Sequence, residues 1–495
     1  MEKPANSSAN SYNQILKTTA VFGSVKMFSV LIGLFRAKIT AIFLGPAGMG
    51  IYNLLNYPIT LVSQFSGLGI STSGIREVAQ TNSEQQLRET AEVIKYWNRT
   101  TGVIGSLFLL LTAPWISQLS FGDNSYTWAF RILSVVVFFT ALGGEYEVLL
   151  RGRRETKLVA KAGFFSSLAG FLASIPLFYF FGNTGIVIVI LVTSITLVIV
   201  NYLYARKLNI QPLKMPYRDI FQKGRRMASI GFFIVLGDVI YVTVITLVNA
   251  FIRRRGGVED VGLFQACLQI TQSSINVVLL AMAADYYPRL SAVQGNKKTT
   301  SKLASEQAEI ASLLCCPLIV SLIVFAPIVI KLLLSNDFLL IQSGIRFFLM
   351  GTMFRLPVWA MTFVLLANGK TKLYVLTVIL SNVLIYPLYC WGYMIGGVSG
   401  IGVSYIVLMV LFIIIQNGII KRQLDIYYNY SFWKIYLITC IITFSSLPIL
   451  FLESYNWVYF LYSSVIIILS FAFSFFVLNK RIDFLNQIKQ KVLKR

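Results

Sequence analysis

Fourteen apolar stretches, each long enough to cross a bilayer, run almost end to end through this chain of 495 residues. A hydrocarbon core about 30 Å thick takes roughly 20 helical residues to span. The stretches cover residues 18–44, 46–70, 100–119, 128–148, 162–181, 185–204, 228–250, 261–284, 306–333, 338–366, 373–394, 398–420, 435–452 and 455–478. They are continuous, about twice as long as a barrel strand needs, and lack period-2 alternation. The sequence therefore predicts an all-α integral membrane protein with about 14 transmembrane helices, not an outer-membrane barrel. The longest connections, Ser71–Arg99 and Ala205–Met227, leave no room for a soluble catalytic domain. Function is expected within the membrane.

A hydrophobic content of 56% and a mean hydropathy of +0.71 exclude an ordinary soluble domain. The net charge of +23 raises the question of nucleic acid, but its distribution answers otherwise. With a cytoplasmic N-terminus, both termini and the connections after even-numbered spans carry 33 of the 43 Lys and Arg. The opposite connections carry only Arg253, Arg254 and Arg255. That is a positive-inside bias and predicts both termini in the cytosol. The basic clusters sit beside span ends without a nucleic-acid-reading motif, so no nucleic-acid partner is expected. Residues 1–17 lack the pattern of a cleaved signal peptide, so the first span is expected to stay in the mature protein. Trp97, Trp115, Trp128, Trp391, Trp433 and Trp457 fall near proposed span ends, where an indole meets the headgroups. The five cysteines all lie within spans and read as packing residues.

Two connections look alike at an offset of 212 residues. Gly45 matches Gly257, Gly50 matches Gly262, Tyr52 matches Phe264 and Asn53 matches Gln265. Together with the very basic connection after the sixth span, this predicts two six-helix lobes related by a parallel repeat. The expected organisation is a cytoplasmic N-terminus over 1–17, an N-lobe over 18–204, a cytoplasmic linker over 205–227 and a C-lobe over 228–420. A helix pair over 435–478 and a basic cytoplasmic tail over 479–495 follow. The stretch from Arg481 to Arg495 has the spacing of an interfacial helix on an anionic membrane surface; a solvated tail fits it equally well.

A cation at the bilayer centre costs about 2.5–3.5 kcal/mol on insertion scales, so it normally faces a cavity or a partner. Lys26 lies near the midplane of the first span, with Arg36 and Lys38 further along the same helix. Gly23, Lys26, Gly33 and Arg36 share one broad face, where space beside positive charge suits a bulky anion. Lys38 points elsewhere, and for it and Arg36 snorkelling to the interface is the plain alternative. Arg346 and Arg355 on the tenth span are further anion-site candidates, on opposite sides of a straight helix. Arg131 and Lys331 sit near outer span ends, where snorkelling is the expected role. Asp238, an acid near the middle of the seventh span, matches Lys26 by the repeat offset. A carboxylate with neutral oxygens nearby, such as Ser381 and Asn382, is a candidate site for a coupling proton or sodium ion. The alternative is an ion pair with a buried arginine such as Arg355. Glu145 and Glu147 are expected in an exposed charge network with Arg151, Arg153 and Arg154.

There is no histidine, which excludes a histidine base or triad, and there is no Walker-type phosphate loop. Paired acids on a long outer loop are missing too. An enzyme is not expected, and no resident cofactor or metal beyond a coupling ion is implied.

The stretch Lys38-Ile39-Thr40-Ala41-Ile42-Phe43-Leu44-Gly45-Pro46-Ala47-Gly48-Met49-Gly50, followed by Ser66-Gly67-Leu68-Gly69-Ile70 and Gly74-Ile75-Arg76-Glu77, resembles the polysaccharide-export branch of the multidrug/oligosaccharidyl-lipid/polysaccharide (MOP) superfamily. Within it, the likeness is to Wzx-type O-antigen flippases. The resemblance implies V-shaped lobes around a cationic cavity in the bacterial inner membrane. It implies translocation of an undecaprenyl-diphosphate-linked oligosaccharide, an O-antigen or similar repeat unit, from the cytosolic to the periplasmic leaflet by alternating access. Lys26 and Arg36 would meet the diphosphate. Asp238 and Asn382 look similarly placed to sodium-site residues of related lipid II flippases, although Tyr386 stands where those carry a second acid. Membrane lipids and other glycan-assembly membrane proteins are the implied partners. A drug or cation antiporter of the same superfamily is the first rival, and a membrane glycan polymerase or ligase the second.

Overall fold

The computed structural model of the chain describes residues 5–210, 213, 215–450 and 457–482, with side chains described from residue 32 onward except at 156, 284, 371, 481 and 482. The stretch from Arg481 to Arg495, read as an interfacial helix or tail, thus lies almost wholly outside the described residues. Among the described residues there is no strand, and eleven helical segments are long and apolar enough to cross a membrane. The chain is an all-helical, multi-span membrane protein. It divides into two compact units, Met1–Gly262 and Leu263–Arg495.

The first unit contains α1 (Ala5–Ser66), α2 (Ile70–Ala79), α3 (Glu84–Phe121), α4 (Thr127–Gly152), α5 (Thr156–Phe181), α6 (Gly185–Arg206) and α7 (Tyr217–Gly256). The helix α1 is interrupted at Gly45, whose φ of 61° and ψ of −163° only glycine adopts without strain. Arg36 and Tyr52, 16 residues apart, touch at 3.1 Å. A straight helix would separate them by about 24 Å, so the chain folds back on itself at Gly45. The same happens between α5 and α6, where Ser166 Oγ donates to the Thr193 carbonyl at 3.3 Å across the turn at Gly182. The sequence-based C-lobe begins with the seventh span. In the structure that span, as α7, packs on α1, α2 and α3 and belongs to the first compact unit.

Hydropathy marks only the part of a helix that meets lipid. The Ser71–Arg99 connection is accordingly mostly helical, comprising α2 and the first turns of α3. The start of α3 is written in the sequence. Ser83 Oγ accepts from the Gln86 amide at 3.2 Å while Gln86 Oε1 accepts from the Asn82 amide at 3.2 Å, a close variant of the capping box. Trp97, expected at the headgroups, instead docks α3 on α7. Its indole donates to the Ile220 carbonyl at 3.1 Å and stacks on Phe221. The charge network foreseen for Glu145 and Glu147 also differs. Glu147 does pair with Arg151, but Glu145 is only 4% exposed and takes a two-pronged bond from Arg99 of α3, at 3.0 and 3.2 Å.

The repeated glycines meet each other. Gly257, at φ 93° and ψ −178°, repeats the backbone shape of Gly45. A Cβ on Gly50 would collide with the Val258 carbonyl, and a Cβ on Gly262 would collide with the Pro46 carbonyl. Pro46 and Val258 are themselves 212 residues apart, so the contact is reciprocal, as two-fold-related helix starts require.

The second unit contains most of α8 (Val258–Ala292), then α9 (Lys297–Val324), α10 (Ala326–Leu333), α11 (Gln342–Ala367), α12 (Thr371–Leu424), α13 (Tyr430–Phe444) and α14 (Trp457–Ile482). The span expected over 306–333 is broken at Phe325, because Pro327 resets the chain into a separate short helix. The helix α12 folds back at Gly396–Gly397 much as α1 does at Gly45. At the centre lies α11, packed between α9 and α12. Pro357 has no N–H, which leaves the Met353 carbonyl without its helical donor. The Tyr436 hydroxyl of α13 answers it at 3.4 Å. Tyr428 donates to the Pro357 carbonyl at 2.6 Å and Tyr286 to the Ala360 carbonyl at 3.0 Å.

A polar cavity in the first unit

The fold-back at Gly45 does more than reverse the chain. It brings Arg36, nine residues before the turn, beside Tyr52, seven residues after it. The Arg36 guanidinium donates to the Tyr52 hydroxyl at 3.1 Å and lies 5.4 Å from the centre of its ring. Hydrogen bond and cation–π contact together hold the charge in one place. That place borders a cavity of about 490 Å³ built entirely from the first unit. Asp238 of α7 lines the same cavity. Neither Arg36 nor Asp238 makes an ion pair among the described residues, so two opposite charges face one space without neutralising each other. The alternative in which Asp238 is spent on a buried arginine is not what the structure holds.

The rest of the lining was missed from sequence. Tyr52, Asn56, Thr60 and Ser63 recur every three or four residues along the second arm of α1 and line the cavity together. A polar stripe at helical period inside an apolar span is a signal that scanning for charges alone passes over. Thr140 of α4 and Thr193 and Ser194 of α6 complete the wall.

The other sequence candidates fall in different surroundings. The side chain of Lys26 lies outside the described residues, though its backbone is on the first arm of α1. A Cβ on Gly33 would meet nothing within 4 Å, which agrees with open space along that arm. Lys38 is half-buried and is absent from the lining of the cavity that holds Arg36. Arg131 and Lys331 are exposed, as snorkelling side chains should be.

Arg346 departs from the anion-site expectation. It is 1% exposed, inside the second unit, and it donates to the Ile323 carbonyl at 3.2 Å and the Ile449 carbonyl at 3.3 Å. The break after α9 frees the Ile323 carbonyl, since Pro327 has no amide to offer it, and a multi-donor guanidinium serves it together with a carbonyl of the turn after α13. This arginine holds backbone, not ligand. Arg355, nine positions on, is half-buried and has no ion pair among the described residues. Ser381 and Asn382 lie on the first arm of α12 in the second unit; Ser381 Oγ donates to the Val378 carbonyl at 2.9 Å and Asn382 is buried. All five cysteines are buried thiols, and no cluster of metal-ligating side chains occurs among the described residues.

Comparison with known proteins extends these observations. A family profile described as "Polysaccharide biosynthesis protein" matches residues 39–343. Among curated proteins, the lipid III flippase of Escherichia coli (strain K12) is 21% identical over 391 residues, covering 78% of this chain and 93% of that protein. The lipid III flippase of Shigella flexneri aligns with the same figures. Among solved structures, the lipid II flippase MurJ in an inward closed conformation superposes with a TM-score of 0.72 at 14% identity, covering 93% of this chain and 99% of that one. An inward-facing multidrug resistance MATE family transporter of the MOP superfamily gives a TM-score of 0.59 at 18% identity, covering 82% and 99%. The two structural likenesses establish the fold. These relatives are flippases and transporters, not enzymes, in keeping with the chemistry missing from the sequence. By the profile that matches most of its length, the chain belongs to the polysaccharide biosynthesis protein family.

Proposed function

We propose that this protein is a flippase for a polyprenyl-diphosphate-linked oligosaccharide, an O-antigen or similar repeat unit, moving it from the cytoplasmic to the periplasmic leaflet of a bacterial inner membrane. Its fourteen passes, with both termini cytoplasmic, rock about the polar cavity in alternating access. The observation that carries this reading is the cation of Arg36, fixed by Tyr52 beside a cavity of about 490 Å³ within a membrane-spanning fold. A positioned guanidinium in a medium of low dielectric suits a diphosphate, whose oxygens accept several charge-assisted bonds. Lys26, ten residues earlier on the same arm, adds a second positive group. The family and the names of the relatives point the same way. Asp238 serves as the seat of a coupling proton or sodium ion, a role supported by its lack of an ion pair.

The test is a deletion strain complemented with variants. Loss of the protein should leave diphosphate-linked repeat units on the inner leaflet, and wild type should clear them. Arg36→Ala, present at wild-type abundance, should not. Normal surface glycan in that strain would remove Arg36 and the reading with it.

A further inference from the structure

The cavity of the first unit has a polarity that a diphosphate does not explain. Thr60 donates its hydroxyl proton to the Asn56 carbonyl at 2.8 Å, Thr140 to Val136 at 2.8 Å, Thr193 to Val189 at 2.7 Å and Ser194 to Ile190 at 2.9 Å. Each of these bonds runs back along the residue's own helix. A hydroxyl that gives its proton to the i−4 carbonyl keeps its lone pairs, so it offers the cavity an acceptor and no donor. Ser63 Oγ and Gln64 Oε1, also in the wall, are buried without a hydrogen-bond partner, and the amide oxygen can only accept. The four committed hydroxyls thus present acceptors only, while the donors of the wall are the Arg36 guanidinium, the amide nitrogens of Asn56 and Gln64, and the Tyr52 hydroxyl, which accepts from Arg36 and keeps its own proton.

A diphosphate is itself all acceptors, so the committed hydroxyls of Thr60, Thr140, Thr193 and Ser194 offer it nothing, and Arg36 is the one cation in the lining to receive it. A group bristling with neutral donors fits the remainder. A desolvated organic cation would meet the like charge of Arg36, which already lies over the cavity's tyrosine ring. We propose that this cavity is a sugar subsite, in which hydroxyl and acetamido N–H donors of one or two uncharged saccharide units meet the acceptor wall formed by Thr60, Ser63, Gln64, Thr140, Thr193 and Ser194. The proposal rests on the flippase reading and deepens it, since it assigns the sugar nearest the diphosphate to this wall and the phosphate charge to Arg36. A cavity of about 490 Å³ is within the range of small-molecule sites and has room for such a unit.

The test uses the purified full chain in nanodiscs and two synthetic probes, farnesyl diphosphate and farnesyl-diphospho-N-acetylglucosamine. The quantity read is the ratio of their dissociation constants. Wild type should favour the glycosylated probe by at least about tenfold. The isosteric double variant Thr140→Val/Thr193→Val should reduce that ratio by about 5- to 30-fold, the worth of two hydrogen bonds to neutral acceptors. Thr140→Ser/Thr193→Ser, which restores the lone pairs, should retain it. Should the valine pair not fold, Ser63→Ala with Thr60→Val provides the same comparison. A wild-type ratio near one, a ratio indifferent to the valine pair, or tighter binding of a glucuronate-bearing probe than of the N-acetylglucosamine one would each overturn the sugar subsite while leaving diphosphate binding intact. Failure to bind either farnesyl probe would overturn the flippase reading itself, and the subsite with it.

Discussion

The reciprocal contact between Gly50 and Gly262 makes a quantitative prediction. Each glycine faces a backbone carbonyl of the opposite segment, Val258 for Gly50 and Pro46 for Gly262. A carbonyl has no rotamer to yield, so a methyl group at either position forces the two helix starts apart by roughly 1.5 Å before ordinary van der Waals contact returns. Overpacking of that kind costs about 1–3 kcal/mol. For a unit of this size the loss corresponds to about 2–10 °C in thermal midpoint. Because one separation relieves both collisions, the second alanine should cost little once the first is present. Gly50→Ala and Gly262→Ala should therefore each destabilise, and the double variant should fall short of the summed effect by about 1 kcal/mol or more. The assay is thermal unfolding of the four proteins in one detergent, read as a double-mutant cycle. Additive effects, or an alanine tolerated without loss at either site, would refute the crossing.

Other substitutions test separate elements. Arg346→Met should lower stability by about 2–4 kcal/mol, since it strands the Ile323 and Ile449 carbonyls, and should leave the dissociation constant of farnesyl diphosphate unchanged; weakened binding at full stability would return Arg346 to the ligand site. Glu145→Gln should destabilise by about 1–3 kcal/mol, discounted from the loss of a buried ion pair because Arg99 can turn to water; unfolding curves matching wild type would contradict the bond drawn between α3 and α4. Asp238→Asn should abolish the dependence of export on a sodium or proton gradient, and a dependence that survives would remove the coupling role. Asp123, in the loop before α4, is held below the usual carboxylate range by Ser125 first and then by Arg253. Its contribution to stability is complete above the unfolded-state pKa and is lost as pH falls through the lower folded value, so unfolding midpoints of wild type should drop more than those of Asp123→Asn below about pH 4.

The helical class and the multi-span character of the chain were legible because apolar length is a one-dimensional property. The turn glycines were legible too, because Gly45 and Gly257 repeat at one offset and adopt one backbone shape. Arg36 was found as an intramembrane cation, and the cavity beside it contains the acid that the sequence singled out, Asp238. What stayed hidden depends on tertiary neighbours. Arg346 looks like an anion-site cation until the break at Phe325 is known, for only then are there free carbonyls to receive it. Glu145 and Arg99 lie 46 positions apart, beyond any local pairing rule. Trp97 was assigned to the interface by composition, yet a helix that contributes Gly224 and Phe221 turned it inward. The acceptor wall escaped because threonine and serine carry no charge, and their chemistry depends on which way each proton is already committed.

The proline in α11 has a consequence for how the chain can vary. The Met353 carbonyl that its missing amide leaves open is answered from outside its own helix, by the Tyr436 hydroxyl, more than seventy residues further along the chain. A chain cut before Tyr428 would turn the Met353 oxygen toward hydrocarbon, where desertion is far dearer than in water. The core of the second unit therefore leans on α13, and relatives that lack that helix should carry a residue other than proline at the position of Pro357.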